Sequence, residues 1–288
     1  MKGYKAFKKG LVCRDKKYAE NTVFEEDKAE VCRSGMHFCK NPLDVFKFYD
    51  LVDEDGNTPE FATVESMDDA LTDDEVKYCT KKLKIGTKIG FSDFVKLCAN
   101  FEYESIKGNA SSGYGSQLAS SGDGSRLASS GYGSQLASSG YGSQLASSGN
   151  RSRLASSGNS SQLASSGYRS QLASSGCGSR LASSGYGSQL ASSGYGSQLA
   201  SSGNSSQLVS SGDSSRVESA GKNSVICCAG EGSIAKAKIG SWITLAEWNW
   251  NENDEYVPIC VKTMYVDGKI IKEDTFYELK DGEFEEVR

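Results

Sequence analysis

A single histidine, His37, stands in a chain of 288 residues. Histidine is the commonest general acid–base group and a frequent metal ligand, so one copy leaves little room for either chemistry. No apolar run approaches the ~20 residues that a membrane-spanning helix needs. Met1-Lys2-Gly3-Tyr4-Lys5 does not lead into the apolar stretch of a secretory signal. A cytoplasmic chain without membrane contact is therefore expected. No basic excess exists either: 32 Lys and Arg stand against 37 Asp and Glu, a net charge of −5, which argues against wholesale nucleic-acid binding. The nine cysteines are odd in number and scattered, with Cys227 and Cys228 adjacent. They read as reduced thiols rather than a disulfide framework. There is no phosphate-cradling loop, nucleophile–base pair or carboxylate dyad with useful spacing. The expectation is a non-enzymatic protein with no cofactor.

What the chain has instead is a nonapeptide, Ala-Ser-Ser-Gly-Tyr-Gly-Ser-Gln-Leu, repeated from Ala110 to about Val217. Leu118, Leu127, Leu136 and their successors to Leu208 recur every nine residues without a slip. Glycines begin a parallel series at Gly113, Gly122, Gly131 and Gly140. A fixed period means stacked units. One Leu and one Ala per unit cannot fill a globular core, and a disordered spacer has no need of register. In Ser-Gln-Leu-Ala-Ser, strand alternation sends Ser116, Leu118 and Ser120 inward and Gln117 and Ala119 outward. The inward hydroxyls can bond one another or the turn backbone. Ser-Ser-Gly-Tyr-Gly supplies the corner, with glycine free to take positive φ. Each strand then pairs with its copy in the next coil, roughly 4.8 Å away.

Two nonapeptides per coil make a period of eighteen, and sorting by it separates the faces. One corner column reads Tyr114, Tyr132, Asn150, Tyr168, Tyr186, Asn204; the other reads Asp123, Tyr141, Asn159, Cys177, Tyr195, Asp213. Arg126, Arg180 and Arg216 fall in one outward column, and Gln117, Gln135, Arg153, Gln171, Gln189 and Gln207 in the other. Stacked Tyr, Asn and Gln form ladders. The tyrosines Tyr114, Tyr132, Tyr168 and Tyr186 are candidates for binding, or for a homodimer seam. Arg126, Arg180 and Arg216 are candidates for binding, including weak, salt-sensitive nucleic-acid contact. The Gly-Tyr-Gly-Ser-Gln-Leu unit resembles the repeat of bacterial ice-nucleation proteins, which implies a thin β-solenoid with a tyrosine ladder. That family flanks its inward residue with threonines; here the outward positions hold Gln or Arg and Ala.

Residues 1–100 have ordinary composition and read as an α+β domain. Strands are expected at Tyr4–Phe7, Val12–Cys13, Thr22–Phe24, Val31–Cys32, Met36–Cys39, Thr58–Glu65 and Lys82–Ile85. Helices are expected from Asn41-Pro42, with Asn41 as N-cap, from Asp73-Asp74-Glu75, and over Ser92–Cys98. The segment Val31-Cys32-Arg33-Ser34-Gly35-Met36-His37-Phe38-Cys39-Lys40-Asn41-Pro42-Leu43-Asp44-Val45-Phe46-Lys47-Phe48-Tyr49 resembles an uncharacterised N-terminal domain of bacteriophage and prophage proteins. The resemblance covers roughly residues 1–65 and implies a viral or mobile-element origin. Two chemistries are weighed here. Cys13, Cys32, His37 and Cys39 form a set zinc accepts, although the usual Cys-x2-Cys knuckle is missing. Gly35-Met36-His37-Phe38 and the helix to Tyr49 are similar to the Gly-x-Tyr-Phe strand and helix of ADP-ribosyltransferases. That resemblance implies Glu65 as the polarising acid, yet the family's tyrosine is His37 here and no histidine stands on the first strand.

After Val217 the repeat decays toward larger apolar residues, as an end cap requires, with Trp242, Trp248 and Trp250 as its expected cover. Hairpins are expected at Asp267-Gly268, returning through Lys269–Lys272, and at Asp281-Gly282. The expected architecture is an α+β domain (1–100), a β-solenoid of two nonapeptides per coil (101–245) and a β-hairpin-rich cap (246–288). The expected role is a phage-associated interaction protein whose solenoid engages a host macromolecule, such as a defence protein. The alternatives are an ADP-ribosyltransferase-like modifier and an ice-nucleation-like or self-assembling structural protein.

Overall fold

The computed structural model describes residues 1–31, 33–51, 59–105 and 110–287. The repeat forms a β-solenoid of about seven coils. Each coil contributes one strand to each of two parallel sheets. Register is exact at eighteen residues, with Gln117 opposite Gln135 and Leu118 opposite Leu136 in one sheet, and Arg126 opposite Gln144 in the other. The leucines point inward and are at most 2% exposed from Leu127 to Leu208, each contributing about 1.5–3 kcal/mol by leaving water. Serines fill the corners of this thin core. Ser129 Oγ donates to Ser134 Oγ at 2.6 Å, Ser134 Oγ donates to the Gly131 carbonyl at 2.9 Å, and the Gly131 N–H donates back to Ser129 Oγ at 3.2 Å. The triangle recurs from coil to coil and satisfies polar groups that would otherwise be costly to bury.

The two glycines of the repeat have different jobs. A Cβ on the first would meet the carbonyl oxygen of the glycine one coil earlier, at 1.9 Å for Gly167 against Gly149. The second takes positive φ in open space, as Gly196 does at +63°. That second position tolerates Arg151, Ser160, Arg169, Ser205 and Ser214 at φ between 52° and 57°, whereas the first is glycine in every clean repeat.

The N-terminal domain is a six-stranded antiparallel sheet with two helices. Its elements are β1 (Lys2–Phe7), β2 (Val12–Cys13), β3 (Lys16–Lys17), β4 (Val23–Glu25), β5 (Met36–Cys39), α1 (Val45–Phe48), β6 (Glu60–Ser66), β7 (Lys77–Thr80), β8 (Lys82–Ile89) and α2 (Phe91–Ser105). The sheet order is β4-β8-β6-β1-β5-β7, and β2 and β3 form a separate hairpin. Two expectations fail here. Asp73–Glu75 does not open a helix: the Asp74 carboxylate accepts the N–H groups of Val76 and Lys77, both at 2.9 Å, making a turn into β7, whose residues pair with β5. Asn41 does not cap a helix: its side chain accepts the Leu43 N–H at 3.0 Å, and the helical turn starts later, with Asp44 at the N-cap position. Val31 lies in a turn, and Cys32 lies outside the described residues.

The domain is not a free-standing leader to the rod. α2 runs past residue 100 and lies along one flank of the solenoid. Phe94, Val95, Cys98 and Ala99 of α2, with Phe46 and Phe61, bury themselves in one apolar cluster with Ala146, Ala164, Ala182 and Ala200 of the solenoid. The outward alanine column of this covered sheet is the seat, because a methyl group lets a helix approach closely. The column ends at Glu218 and Lys236, a buried pair 3.2 Å apart, with the Lys236 ammonium 4.9 Å from the centre of the Phe276 ring.

Antiparallel strands close the C-terminal end of each sheet. Trp242–Trp250 pairs with Tyr256–Tyr265 on the open sheet, and Tyr277–Lys280 pairs with Glu283–Glu286 on the covered one. Asp267-Gly268 does not make a hairpin. The Asp267 carboxylate gathers the N–H groups of Lys269, Ile270 and Ile271 into a loop, so Lys269–Lys272 does not return as a strand. The tryptophans do not cover the core either: Trp242 and Trp250 are 47% and 64% exposed, while Ile243, Leu245, Val266, Ile271, Tyr277 and Leu279 are buried at the end of the leucine stack.

Two outcomes follow for stability. Gly167→Ala should cost about 1–3 kcal/mol or more through overpacking, whereas Gly196→Asn should stay within about 0.5 kcal/mol because Asn accepts positive φ; urea denaturation of both variants reads the difference. Ala164→Arg should free the N-terminal domain from the rod, enlarging the radius of gyration in small-angle scattering and exposing α2 to protease.

Candidate binding surfaces

The outward columns of the solenoid have unequal fates. Arg126, Arg180 and Arg216 lie on the covered sheet. Arg180 Nη2 donates to Asp50 Oδ1 at 2.9 Å, Gln198 Nε2 donates to the same oxygen at 3.0 Å, and the Leu51 N–H donates to Gln198 Oε1 at 2.7 Å. Gln144 Nε2 donates to Asp44 Oδ1 at 2.8 Å. Burial alone would raise the Asp50 carboxyl, but hydrogen bonds from Gln198 and Arg180 and the charges of Arg180 and Arg216 outweigh it and hold it below the usual carboxylate value. Arg180 is thus spent on an intramolecular contact, and the column does not present three exposed arginines to a partner.

The other sheet is open. Its outward alanines, Ala119, Ala137, Ala155, Ala173 and Ala191, with Val209 and the neighbouring serines, line a shallow trough of about 1000 Å³. Beside it runs an amide ladder in which Gln171 donates to Gln189 at 2.9 Å and Gln189 to Gln207 at 3.1 Å. Beyond Gln207 the ladder column continues as Val225 and Trp242, with Tyr265 paired to Trp242 on the antiparallel strand. Val209, Val225, Trp242 and Tyr265 are 44–49% exposed, and the Trp242 and Tyr265 rings lie 5.1 Å apart.

At the corner entering this sheet, Tyr114 stacks on Tyr132 at 5.3 Å and Tyr168 on Tyr186 at 5.5 Å. The intervening asparagines do not form amide ladders. Asn150 Oδ1 accepts the N–H of Tyr168, and Asn204 Oδ1 that of Lys222, both at 2.9 Å. The tyrosine column is therefore two stacked pairs rather than one continuous ladder. Arginines that the eighteen-residue sorting did not single out sit on it. Arg169 lies 5.1 Å from the Tyr168 ring centre and Arg151 5.7 Å from that of Tyr132. With Arg153 they line a cleft of about 490 Å³ that also takes in Tyr186, Gln189 and Gln207. Arg151 and Arg169 occupy the second-glycine position of their repeats, and that departure from the consensus is the signal that could have found them.

The N-terminal domain holds a second concave site of about 610 Å³. His37, Cys13 and Cys39 line it together with Lys5, Arg14, Tyr18 and Tyr49. Burial lowers the pKa of His37, helped by the charges of Lys5, Lys77 and Arg14. Burial pushes the Cys39 thiol up to about 12, with the nearby Asp44 charge adding to it, so at neutral pH this is a thiol and not a thiolate. Burial likewise raises Tyr18 to about 12 and Tyr49 well above its ordinary value. Among the described residues no group of three or more His, Cys, Asp or Glu is placed to hold a metal. Cys13 instead meets the Tyr49 hydroxyl at 3.7 Å. Glu65 lines a different cavity, with Lys2 and Lys84, and β1 lies between the strands that carry His37 and Glu65. The structure does not bring those two residues together.

Fold and surfaces define a β-solenoid repeat protein with an α+β domain clasped to one flank. Residues 1–97 match a family model described as a domain of unknown function, DUF7666. No curated protein and no solved structure matches the chain. No helix among the described residues is long and apolar enough to cross a membrane.

His37 gives a pH dependence with a defined sign. Its folded pKa lies below the unfolded value of 6.5, so the unfolded chain binds the extra proton in that window. The stability contribution is complete above 6.5 and is lost as pH falls through the folded pKa. The carboxyls held low, Asp50, Glu60, Asp74 and Asp267, titrate below their ordinary values of 3.8–4.5 and so outside this window. Melting temperatures between about pH 7.5 and 5 should therefore fall for the native chain and flatten in His37→Gln, since no other histidine exists.

Proposed function

We propose that the chain is a non-enzymatic interaction protein that grips a partner protein on the open sheet of its solenoid. One observation carries this reading: two chemically alike flanks exist, and only one is occupied. The covered sheet receives α2 on its alanine column and the Asp44 and Asp50 carboxylates on its Gln and Arg column. The open sheet repeats the same alanine and glutamine columns without a cover. It adds Arg151, Arg153 and Arg169 midway along the rod and Val209, Val225, Trp242 and Tyr265 toward its C-terminal end. The occupant fitting this surface is a folded protein presenting an apolar ridge flanked by carboxylates, as the N-terminal domain does on the opposite flank. Arg153 and Trp242 stand five rungs apart in one column, about 24 Å at the strand spacing, a length that suits a standard-size interface. Exposed Trp, Tyr and Arg are the residues most often dominant in such contacts.

The phage-type resemblance of residues 31–49 supports a viral setting, in which the partner belongs to the host and a defence protein is the favoured class. A homodimer through the same face is the competing arrangement, and light scattering separates the two. The purified full chain should be monomeric alone and form a stoichiometric complex with a host protein. Ala155→Arg, Trp242→Ala and the double variant Arg151→Glu/Arg169→Glu should each weaken that complex about 10-fold or more, while Lys81→Ala on the N-terminal domain leaves it unchanged. Retention of the complex by all three face variants overturns the assignment of the open sheet. A dimer of the chain that Ala155→Arg dissociates replaces the partner with a second copy.

A further inference from the structure

The N-terminal cavity has features that the interaction role does not use. β1 and β5 pair at one register position, Tyr4 with Cys39. Beyond it, the Lys5 ammonium donates to the His37 carbonyl oxygen at 2.9 Å and to the Tyr49 hydroxyl at 3.0 Å. Lys5 is only 3% exposed. Two rings flank it, with the Phe7 and Tyr49 centres 5.4 and 5.6 Å away. Every partner is neutral. Among the described residues neither Lys5 nor Arg14 makes an ion pair, whereas Lys16 on the same wall is tied to Glu26 at 3.1 Å. A buried ammonium without a counter-charge costs the fold free energy, and such a group is kept most readily where an anion completes it.

The rest of the lining agrees in sign and shape. Lys5, Arg14, Lys16 and Lys77 face the cavity against Asp15 and Glu26. Arg14 stands at φ 53° in the turn between β2 and β3, a conformation that a long side chain adopts rarely. The other titrating groups on the wall, His37, Cys39, Tyr18 and Tyr49, are uncharged at neutral pH, so the net field is positive. Phe48 is 40% exposed, lines the cavity and has the Lys77 ammonium 4.5 Å from its ring centre. That pair offers a planar ring a face to stack on beside a cation. The volume lies within the roughly 300–1,000 Å³ usual for small-molecule sites.

We infer that this cavity binds a phosphorylated small molecule of mononucleotide size, its phosphate held by Lys5 and Arg14 and its planar ring seated against Phe48. The inference is independent of the partner reading, since the cavity and the open sheet share no residue.

The sole histidine makes the test direct, because its ring proton gives one resolved resonance from inside the site. The full chain is titrated with AMP, with adenosine and with inorganic phosphate, following the His37 resonance and its pH titration. AMP should move it saturably and raise the His37 pKa toward 6.5, because a bound anion opposes the fields of Lys5, Lys77 and Arg14. Adenosine should bind about 10-fold more weakly or worse. Phosphate should shift the same resonance at higher concentration. Arg14→Ala, a turn residue whose loss spares the core, should weaken AMP about 10-fold. The inference falls if AMP leaves the resonance unmoved at about 10 mM, if adenosine binds as tightly as AMP, or if Arg14→Ala binds AMP like the native chain. Phosphate binding without AMP binding discards the ring seat and, with it, the assignment.

Discussion

Everything in this molecule rests on how closely one coil lies on the next. At each corner the carbonyl oxygen of one glycine occupies the place where a Cβ of the following coil's glycine would stand, at 1.9–2.2 Å through the body of the rod. No side chain fits there, so the position is glycine from Gly131 through Gly230. That contact lets the strands reach hydrogen-bonding distance and lets identical residues stack in columns. Leucines then meet leucines, serine hydroxyls close their triangles, and glutamines form amide ladders. The thin core is a consequence of this fit rather than its cause. A single leucine per strand suffices because the serine triangles satisfy the polar corners and the sheets satisfy the backbone.

A rod built from two nearly identical nonapeptides per coil has two nearly identical flanks, and the molecule breaks that symmetry outside the consensus. On one flank the alanine column accepts a helix of the same chain and stops at a buried Glu218–Lys236 pair under Phe276. On the other the column runs into Val209, and its neighbour runs into Val225 and Trp242. Charged residues end the occupied column, whereas the vacant one passes through the exposed Val209 to Cys227 and Thr244. The same backbone thus carries an internal interface and an external surface, and a few substitutions decide which is which.

Much of the rod was legible in the sequence because its period leaves little freedom. The inward Leu and Ser, the eighteen-residue coil and the stacked tyrosine pairs all follow from counting. What was not legible depends on contacts made far along the chain. Nothing local to Arg180 says that Asp50, 130 residues earlier, will take it. The glycine series looked like a conformational need, yet the first glycine of each unit answers a steric one. In the N-terminal domain, Asp73–Asp74–Glu75 carries the charges of a helix start, but pairing of the following residues with β5 makes an Asp74-closed turn the better solution. The tryptophans looked like core residues by type, and alternation along a closing strand put two of them outside. His37 and Glu65 sit on strands that belong to one sheet, and only the strand order reveals β1 between them.

The distribution of charge argues for function more strongly than any motif. The chain is acidic overall, and its acids are available to neutralise its bases. Asp50 takes Arg180, Glu26 takes Lys16, Glu60 takes Lys88 and Glu218 takes Lys236. The cleft of Arg151, Arg153 and Arg169 and the cavity of Lys5 and Arg14 depart from this pattern. An excess of acid elsewhere on the surface repels anionic partners at long range and confines attraction to where cations converge. A site of that kind selects by position rather than by net charge. In a chain whose acid excess lies outside the rod, the proposed carboxylate and anion contacts would form only where these cations converge.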